Sequence, residues 1–173
     1  MKGFLRRFVA VALLAALALG LCGSALAGTD TDWEDVRYWY GQFSEENRAD
    51  LAALIDQNGP YDDVVQAGIY LFVYNELPGN YITKSDARKL GWQGGSLEPY
   101  APGKCIGGDH FGNYEGLLPE DARYTECDIG TLGADKRGAK RLVFDENGAI
   151  YYTDDHYETF TLLYEGGAKD DAA

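Results

Sequence analysis

Apolar residues at helical spacing mark the first third of the chain. Within residues 28–59, two apolar stripes recur every three or four positions: Trp33, Val36, Tyr40 and Phe43, then Leu51, Leu54 and Ile55. Asn58-Gly59-Pro60 ends the second run. The pattern predicts an acidic, helical N-terminal extension. It leaves open whether this segment is an appended helical pair, a pro-segment or a partly ordered arm.

The pattern changes from helical to strand-like after Trp92. Before it, residues 61–75 carry a broad apolar face that predicts a helix, and Thr83 is placed to cap a short helix that stops at Gly91. After it come short runs rich in β-branched and aromatic residues, separated by turn signals: residues 105–111, 122–129, 140–144, 149–153 and 158–164. Helices followed by strands predict an α+β domain over residues 60–164, with N-terminal helices packed on a twisted antiparallel β-sheet.

The two ends of the chain have compositions of their own. Residues 1–27 resemble a secretory signal peptide: they combine a basic start, an apolar run from Phe8 to Leu21 and the small-residue site Ala25-Leu26-Ala27. Cys22 leaves a lipoprotein leader as an alternative. The apolar run is too short to span a bilayer, so we expect a secreted, extracellular protein. Residues 165–173 are rich in Gly, Ala and Asp, and we expect them to form a flexible tail.

Net charge argues against a nucleic-acid partner. The chain has a formal charge of −13, and removing the three cations of residues 1–27 leaves 12 Lys and Arg against 28 Asp and Glu, a charge of −16. Such a field repels polyanions at long range. Any RNA-directed function therefore needs cations that cluster locally, and residues 136–141 hold four of them.

Two cysteines remain after the predicted cleavage. An even number of cysteines in an exported chain predicts one disulfide, between Cys105 and Cys127, and the alternative is a pair of buried thiols. The chain has only two histidines and neither a CxxC nor an HExxH pattern, so we expect no metal site and no cofactor.

One of the two histidines follows a tight acidic turn. Tyr- and Thr-rich runs flank Asp154-Asp155, and His156 stands at the exit of the turn. A histidine on a loop between strands suits proton exchange near neutral pH, although a surface histidine in a hairpin explains the same pattern.

Several segments together resemble the barnase-like family of guanyl-specific microbial ribonucleases. They occur in the family's order and nearly at its spacing, over roughly residues 61–164. The segments are Asn80-Tyr81-Ile82-Thr83-Lys84, Leu90-Gly91-Trp92, Ala101-Pro102-Gly103-Lys104, Ile106-Gly107-Gly108-Asp109, Asn113-x-Glu115-Gly116, Glu126-x-Asp128-Ile129, Arg137-x-x-x-Arg141 and Asp155-His156-Tyr157-x-Thr159-Phe160-Thr161.

The resemblance implies an extracellular, metal-independent endoribonuclease. The ribose 2′-OH would attack the adjacent phosphorus, and the resulting 2′,3′-cyclic phosphate would then be hydrolysed. Glu126 matches the family's general base and His156 its general acid, while Lys84, Arg137 and Arg141 match its phosphate-binding residues. These residue types suit the chemistry, because the reaction needs a base, an acid and fixed cations.

The resemblance also implies a guanine site. Glu115 would accept N1–H and N2–H₂, and main-chain N–H groups around Gly112, Asn113 and Tyr114 would read O6. Two aromatic residues, Phe111 and Tyr157, are candidates for stacking on the base. One carboxylate, Asp109, would organise the basic residues. The implied partners are single-stranded RNA and a barstar-type inhibitor, with no DNA and no membrane contact after signal removal, and the protein is expected to be a monomer.

Departures from the family leave two other functions open. Barnase is basic whereas this chain is acidic, and Tyr114 stands where barnase has an arginine that contacts its inhibitor. The acidic extension could therefore block the basic cleft of an inactive or autoinhibited ribonuclease-fold binding module. An unrelated exported structural domain is the third hypothesis.

Overall fold

The computed structural model describes residues 32–167, so the predicted signal peptide and residues 168–173 of the tail lie outside it. The four helices of this range are α1 (Trp33–Tyr40), α2 (Arg48–Ala52), α3 (Val64–Tyr74) and α4 (Lys84–Lys89). The six strands are β1 (Tyr81–Ile82), β2 (Cys105–Phe111), β3 (Tyr124–Asp128), β4 (Arg141–Asp145), β5 (Ile150–Thr153) and β6 (Thr161–Tyr164). Within these residues no helix is both long enough and apolar enough to cross a membrane.

The strands form one sheet in simple sequence order. The order is β1-β2-β3-β4-β5-β6, and every neighbouring pair is antiparallel except β1 with β2. The α+β class with helices before an antiparallel sheet is therefore confirmed. The two-residue strand β1 was missed, because a pair of residues has no periodicity of its own and is defined only by its pairing with Cys105 and Ile106.

Side-chain caps set where the helices begin. Asp32, Asp63 and Thr83 each accept main-chain N–H groups from the first turn of α1, α3 and α4. These bonds satisfy donors that have no partner within the helix. The cap at Asp63 moves the start of the third helix from the predicted residue 61 to Val64.

The cross-strand register divides the sheet into two faces. Glu126 lies opposite Asp109 and Val143, and Asp128 lies opposite Arg141. Because side chains alternate along a strand, these residues share one face. The intervening residue Cys127 points to the other face, where the helices pack.

The N-terminal segment belongs to the hydrophobic core on that helix face. Trp33 meets Tyr152 edge to face at 5.2 Å, and Phe43 stacks on Phe72 at 4.8 Å. The Tyr40 hydroxyl donates to the Val64 carbonyl at 2.8 Å. The described part of this segment therefore forms two helices, α1 and α2, and whether it is an appended pair or a pro-segment stays a prediction. Its described residues lie on the face opposite Glu126 and do not cover that carboxylate. The domain boundary at residue 60 stays a prediction.

The predicted disulfide is not formed: Cys105 and Cys127 are both free and buried. The register explains this, because Cys127 pairs with Gly107, two residues beyond Cys105. The two cysteines are therefore diagonal neighbours, and such residues lie about 7–8 Å apart. A disulfide usually needs Cα atoms within about 6.8 Å. The alternative of two buried thiols is the one that the structure has.

Candidate active site

A buried carboxylate with two donors forms the centre of the exposed sheet face. Glu126 on β3 is only 5% exposed. Its Oε1 contacts the Lys84 ammonium, and its Oε2 accepts the hydroxyl of Tyr157. Burial, followed by the hydrogen bond to Glu126, raises the pKa of the Tyr157 hydroxyl. The phenol therefore stays protonated at neutral pH and remains a donor.

Lys84 reaches this carboxylate from the first turn of α4. Asp109 Oδ2 accepts the main-chain N–H of Lys84 at 2.7 Å and so fixes the helix start against the sheet. A cation is unfavourable at a helix N-terminus, and the carboxylates of Asp109 and Glu126 offset that cost. Asp109 thus positions Lys84 through its main chain, and the organising role that the sequence resemblance implied stays a prediction.

A second buried carboxylate, Asp128, organises the arginines. It is 1% exposed and lies two residues after Glu126 on the same face. Arg137 makes a bidentate pair with it, with Nε and Nη2 each 2.6 Å from a carboxylate oxygen. Arg141 Nε lies 2.9 Å from Asp128 Oδ1, but its N–H is not aligned for a hydrogen bond, so this contact is an ion pair.

The two arginines are not equivalent. The Arg137 side chain is 20% exposed and its guanidinium lies over the Trp92 ring at 5.6 Å. The Arg141 side chain is 2% exposed and donates to the carbonyls of Lys140 and Gly138. Both were expected to bind phosphate. The structure leaves Arg137 accessible and uses Arg141 to hold the β3–β4 loop.

Asp128 is the functional residue that the sequence reasoning did not single out. It belongs to the Glu126-x-Asp128 segment, and its spacing of two residues along a strand was a signal that both carboxylates share a face. The partners of Asp128 come from 9 and 13 residues further along the chain, so its double ion pair depends on the β3–β4 loop.

His156 is exposed at a turn that a neighbouring carboxylate stabilises. His156 and Tyr157 both have left-handed backbone angles, with φ of 64° and 76°. Asp155 accepts from the Thr153 hydroxyl and from the main chain and hydroxyl of Thr159. Hydrogen bonds from Thr159 and then Thr153 lower the pKa of Asp155 to about 2. The imidazole lies 5.1 Å from the ring of Tyr157, whose hydroxyl donates to Glu126.

The loop between β2 and β3 carries the residues expected to read guanine. Asn113 has φ of 44°, and its side-chain amide bonds the main chain of Leu118 in both directions, at 2.8 and 3.0 Å. The Gly116 N–H closes a turn onto the Asn113 carbonyl at 3.0 Å. The Glu115 carboxylate is exposed beside this fixed main chain.

Aromatic rings join the loop to the histidine turn. Phe111, at the loop's start, stacks on Tyr157 at 5.2 Å with an interplanar angle of 27°. Both rings pack on the cluster of Leu118, Tyr124 and Val143. The structure thus brings Phe111 and Tyr157, the two predicted stacking residues, together. Each ring packs one of its faces against the other ring, so that face is not available to a base.

Other candidate features lie away from this face. His110 is exposed opposite Thr125 on the helix face, with Nδ1 3.1 Å from the Tyr124 carbonyl. A cavity of about 400 Å³ also opens on the helix face, between Phe72, Phe144 and Tyr164. Glu126, Lys84 and His156 are not among the residues that line this cavity. Within residues 32–167, no three His, Cys, Asp or Glu residues are grouped to hold a metal ion.

Comparison with known proteins places these residues in a family. The model of the ribonuclease family matches residues 27–164, so the match begins before the segments that carry the resemblance. A ribonuclease of Bacillus intermedius is 51% identical over 98 residues, which cover 54% of this chain and 60% of that protein. A ribonuclease of Heyndrickxia coagulans is 50% identical over 98 residues, covering 54% of this chain and 89% of that protein.

A third relative carries a more specific name. The "guanyl-specific ribonuclease St" of Saccharopolyspora erythraea is 46% identical over 57 residues, covering 32% of this chain and 56% of that protein. The chain spans 60% of the length of the Bacillus intermedius relative, less than two thirds.

Proposed function

Because the chain belongs to the ribonuclease family, we propose that it is an endoribonuclease that cleaves single-stranded RNA after guanine. One observation carries the proposal: the buried Glu126 carboxylate is held between the Lys84 ammonium and the hydroxyl of Tyr157, and the Tyr157 ring lies beside the exposed His156. A fixed carboxylate and a nearby imidazole are the base and acid that phosphoryl transfer to an internal hydroxyl requires.

In the first step, Glu126 removes the proton of the ribose 2′-OH. The 2′-oxygen forms a bond to the adjacent phosphorus, and the bond from phosphorus to the 5′-oxygen breaks. His156 donates a proton to that leaving oxygen. The products are a 2′,3′-cyclic phosphate and a free 5′-OH. Each Glu126 oxygen already accepts one contact, and each keeps a second lone pair for the proton.

In the second step, the roles exchange. Neutral His156 removes a proton from water, the water oxygen bonds to phosphorus, and the bond to the 2′-oxygen breaks. Protonated Glu126 returns its proton to the 2′-oxygen. Both residues then regain their starting states, so the cycle balances without a cofactor or metal ion.

Cations stabilise the charge that develops on the non-bridging oxygens. Lys84 and the accessible Arg137 are placed on the Glu126 face, and each is already fixed by a carboxylate partner. Groups that are fixed before the reaction need no reorganisation in the transition state. Arg141 is the third residue predicted to bind phosphate. Because its side chain is buried, it contributes indirectly, by holding Arg137 and the β3–β4 loop in position.

Guanine preference rests on the loop that follows Phe111. Asn113 holds this loop rigidly through its own amide, so the main-chain N–H groups near Gly112 and Tyr114 are fixed for guanine O6. Glu115 accepts N1–H and N2–H₂. The relative named guanyl-specific supports this choice of base.

The remaining expectations extend the proposal. The protein would be exported by residues 1–27 and act outside the cell as a monomer. A barstar-type inhibitor would bind over the same face, with Tyr114 altering that contact.

Turnover of dinucleotides tests the proposal. The chain starting at residue 28 should cleave GpA faster than ApA, release guanosine 2′,3′-cyclic phosphate before guanosine 3′-phosphate, and keep its rate in EDTA. Equal rates for GpA and ApA would contradict the guanine site, and no cyclic product would contradict the mechanism.

A further inference from the structure

The loop that carries Arg137 has no helix or strand of its own. It joins β3 to β4 over residues 129–140, and its ends meet where the Ile129 N–H donates to the Lys140 carbonyl at 3.1 Å. Gly130 has φ of 68°, a backbone conformation that residues with a side chain rarely adopt. Because the loop has no ladder of hydrogen bonds, the position of Arg137 depends on contacts with other parts of the chain.

Asp62 holds the start of this loop with both its main chain and its side chain. Its carbonyl accepts the Gly130 N–H at 2.8 Å. Its Oδ2 accepts the N–H groups of Thr131 and Leu132, each at 2.6 Å. Hydrogen bonds from main-chain donors to an ionised carboxylate are shorter and stronger than those to a neutral acceptor. Asp62 thus fixes successive residues of the loop, although it lies 69 positions before Thr131 in the chain.

The path from these residues to Arg137 is also held. The Ala134 N–H closes a turn onto the Thr131 carbonyl at 3.1 Å, and the Ser96 hydroxyl donates to the Ala134 carbonyl at 2.7 Å. Arg137 follows three residues after this turn. A movement of the segment that Asp62 fixes is therefore passed along the main chain to Arg137.

The neighbouring aspartate has a different role. Asp63 Oδ1 accepts the N–H groups of Val65 and Gln66, at 2.9 and 2.8 Å, and so caps α3. Each of the two adjacent carboxylates thus binds two main-chain N–H groups, but Asp63 binds them in a helix and Asp62 binds them in the Arg137 loop. This difference separates an effect on the loop from an effect on stability alone.

We propose that Asp62 is a positioning residue for Arg137: by fixing the start of the β3–β4 loop, it sets where the guanidinium stands on the Glu126 face. The inference rests on the proposed function, in which Arg137 stabilises charge on the phosphate oxygens. Such stabilisation requires a group that is fixed before the reaction. A displacement of about 1 Å can lower a rate by about 100-fold, even when the changed residue is far from the reacting atoms.

Steady-state cleavage of GpA measures the effect on catalysis. Asp62→Ala should lower kcat by about 10- to 100-fold with little change in KM, because Arg137 acts on charge that develops in the transition state. Asp62→Asn should restore most of the rate, since its Oδ1 can accept the same two N–H groups. Asp63→Ala is the matched control: it should lower the thermal midpoint by removing a helix cap and leave kcat unchanged.

A further variant keeps the test open if Asp62→Ala does not fold. Asp62→Glu keeps the charge but moves the acceptor away by one methylene group, so it should also lower kcat. Near-UV circular dichroism confirms that each variant is folded before its rate is compared.

A double-mutant cycle with Arg137→Ala separates positioning from a general loss of structure. If Asp62 acts through Arg137, Asp62→Ala should cause no further loss of kcat once Arg137 has been replaced. A merely structural role would instead lower kcat by the same factor in both backgrounds.

The Trp92 indole reports the position of Arg137 without any substrate. The guanidinium lies over the ring, 5.6 Å from its centroid, and the indole N–H donates to the Gly95 carbonyl at 3.1 Å. In proton–nitrogen NMR spectra, Arg137→Ala identifies the indole signal that senses the guanidinium. Asp62→Ala should displace the same signal, whereas Asp63→Ala should not.

Each contrary result has a distinct meaning. Wild-type kcat in Asp62→Ala, an undisplaced Trp92 signal, or equal losses of kcat with and without Arg137 would overturn the inference and leave the proposed function in place. A loss of kcat in Asp63→Ala as large as that in Asp62→Ala would also overturn it, because a weakened start of α3 would then suffice. If the wild type did not cleave GpA, the proposed function and this inference would both be wrong.

Discussion

Replacement of Asp128 by alanine is the sharpest test of how the cationic site is held. The change removes the carboxylate that forms ion pairs with both Arg137 and Arg141. Arg137 is 20% exposed and can turn toward water. Arg141 is 2% exposed and still donates to two carbonyls, so its guanidinium is left buried without a counter-ion.

The magnitude follows from this difference in burial. Removing one partner of a buried ion pair destabilises a protein by about 3–5 kcal/mol, because the remaining charge is uncompensated. That is a large fraction of the roughly 5–15 kcal/mol that stabilises a typical domain. For a domain of this size, the thermal midpoint should fall by about 10 °C or more.

Urea unfolding of the chain starting at residue 28, followed by tryptophan fluorescence, measures the loss. Glu45→Gln is the matched control, because its pair with Arg48 is solvent-exposed and should contribute little to stability. The double variant Asp128→Leu/Arg141→Met should recover much of the loss, since it removes the stranded charge together with its partner. An Asp128→Ala midpoint close to that of the control would refute the reasoning.

Three further predictions concern the thiols, the histidine turn and the general base. Cys105 and Cys127 should not react with a thiol reagent in the native protein at pH 8, because burial raises the pKa of Cys105 to about 12 and raises that of Cys127 further. Both thiols should react in urea, whereas rapid labelling of the native protein would contradict their burial. Asp155→Ala should destabilise the protein most above about pH 4, the ordinary range of an aspartate. Because the pKa of Asp155 in the folded protein is lowered to about 2, that difference in unfolding free energy should fade as the pH is lowered toward 2, and a constant difference would contradict it. Tyr157→Phe keeps the ring but removes the donor to Glu126, so kcat/KM for GpA should fall about 10-fold with little change in thermal midpoint; an unchanged kcat/KM would show that the contact has no catalytic role.

Features with local causes were predictable from the sequence. Thr83 was expected to cap a helix, and its hydroxyl accepts the Asp86 N–H at 3.1 Å. The strand run 105–111 was expected from composition and is β2 without a shift. A cap or a strand run is encoded within a few neighbouring residues, so one sequence suffices to find it.

Features that depend on register were not predictable. The disulfide expected between Cys105 and Cys127 required them to be directly paired, but Gly107 takes that place opposite Cys127. The burial of Arg141 likewise follows from the path of the β3–β4 loop and not from residue type. The helical pair of residues 33–55 could be recognised by periodicity, yet its packing on α3 depends on contacts such as Tyr40 to Val64, 24 residues apart.

The central claim is that Glu126 and His156 act as the base and acid of one reaction. The most direct measurement is the pH dependence of GpA cleavage by the wild type, Glu126→Gln and His156→Ala, with near-UV circular dichroism to confirm folding. The wild type should give a bell-shaped profile, and each variant should lose one limb and about 10²- to 10⁴-fold in rate. A folded variant that kept the wild-type rate, or both limbs of the profile, would contradict the assignment.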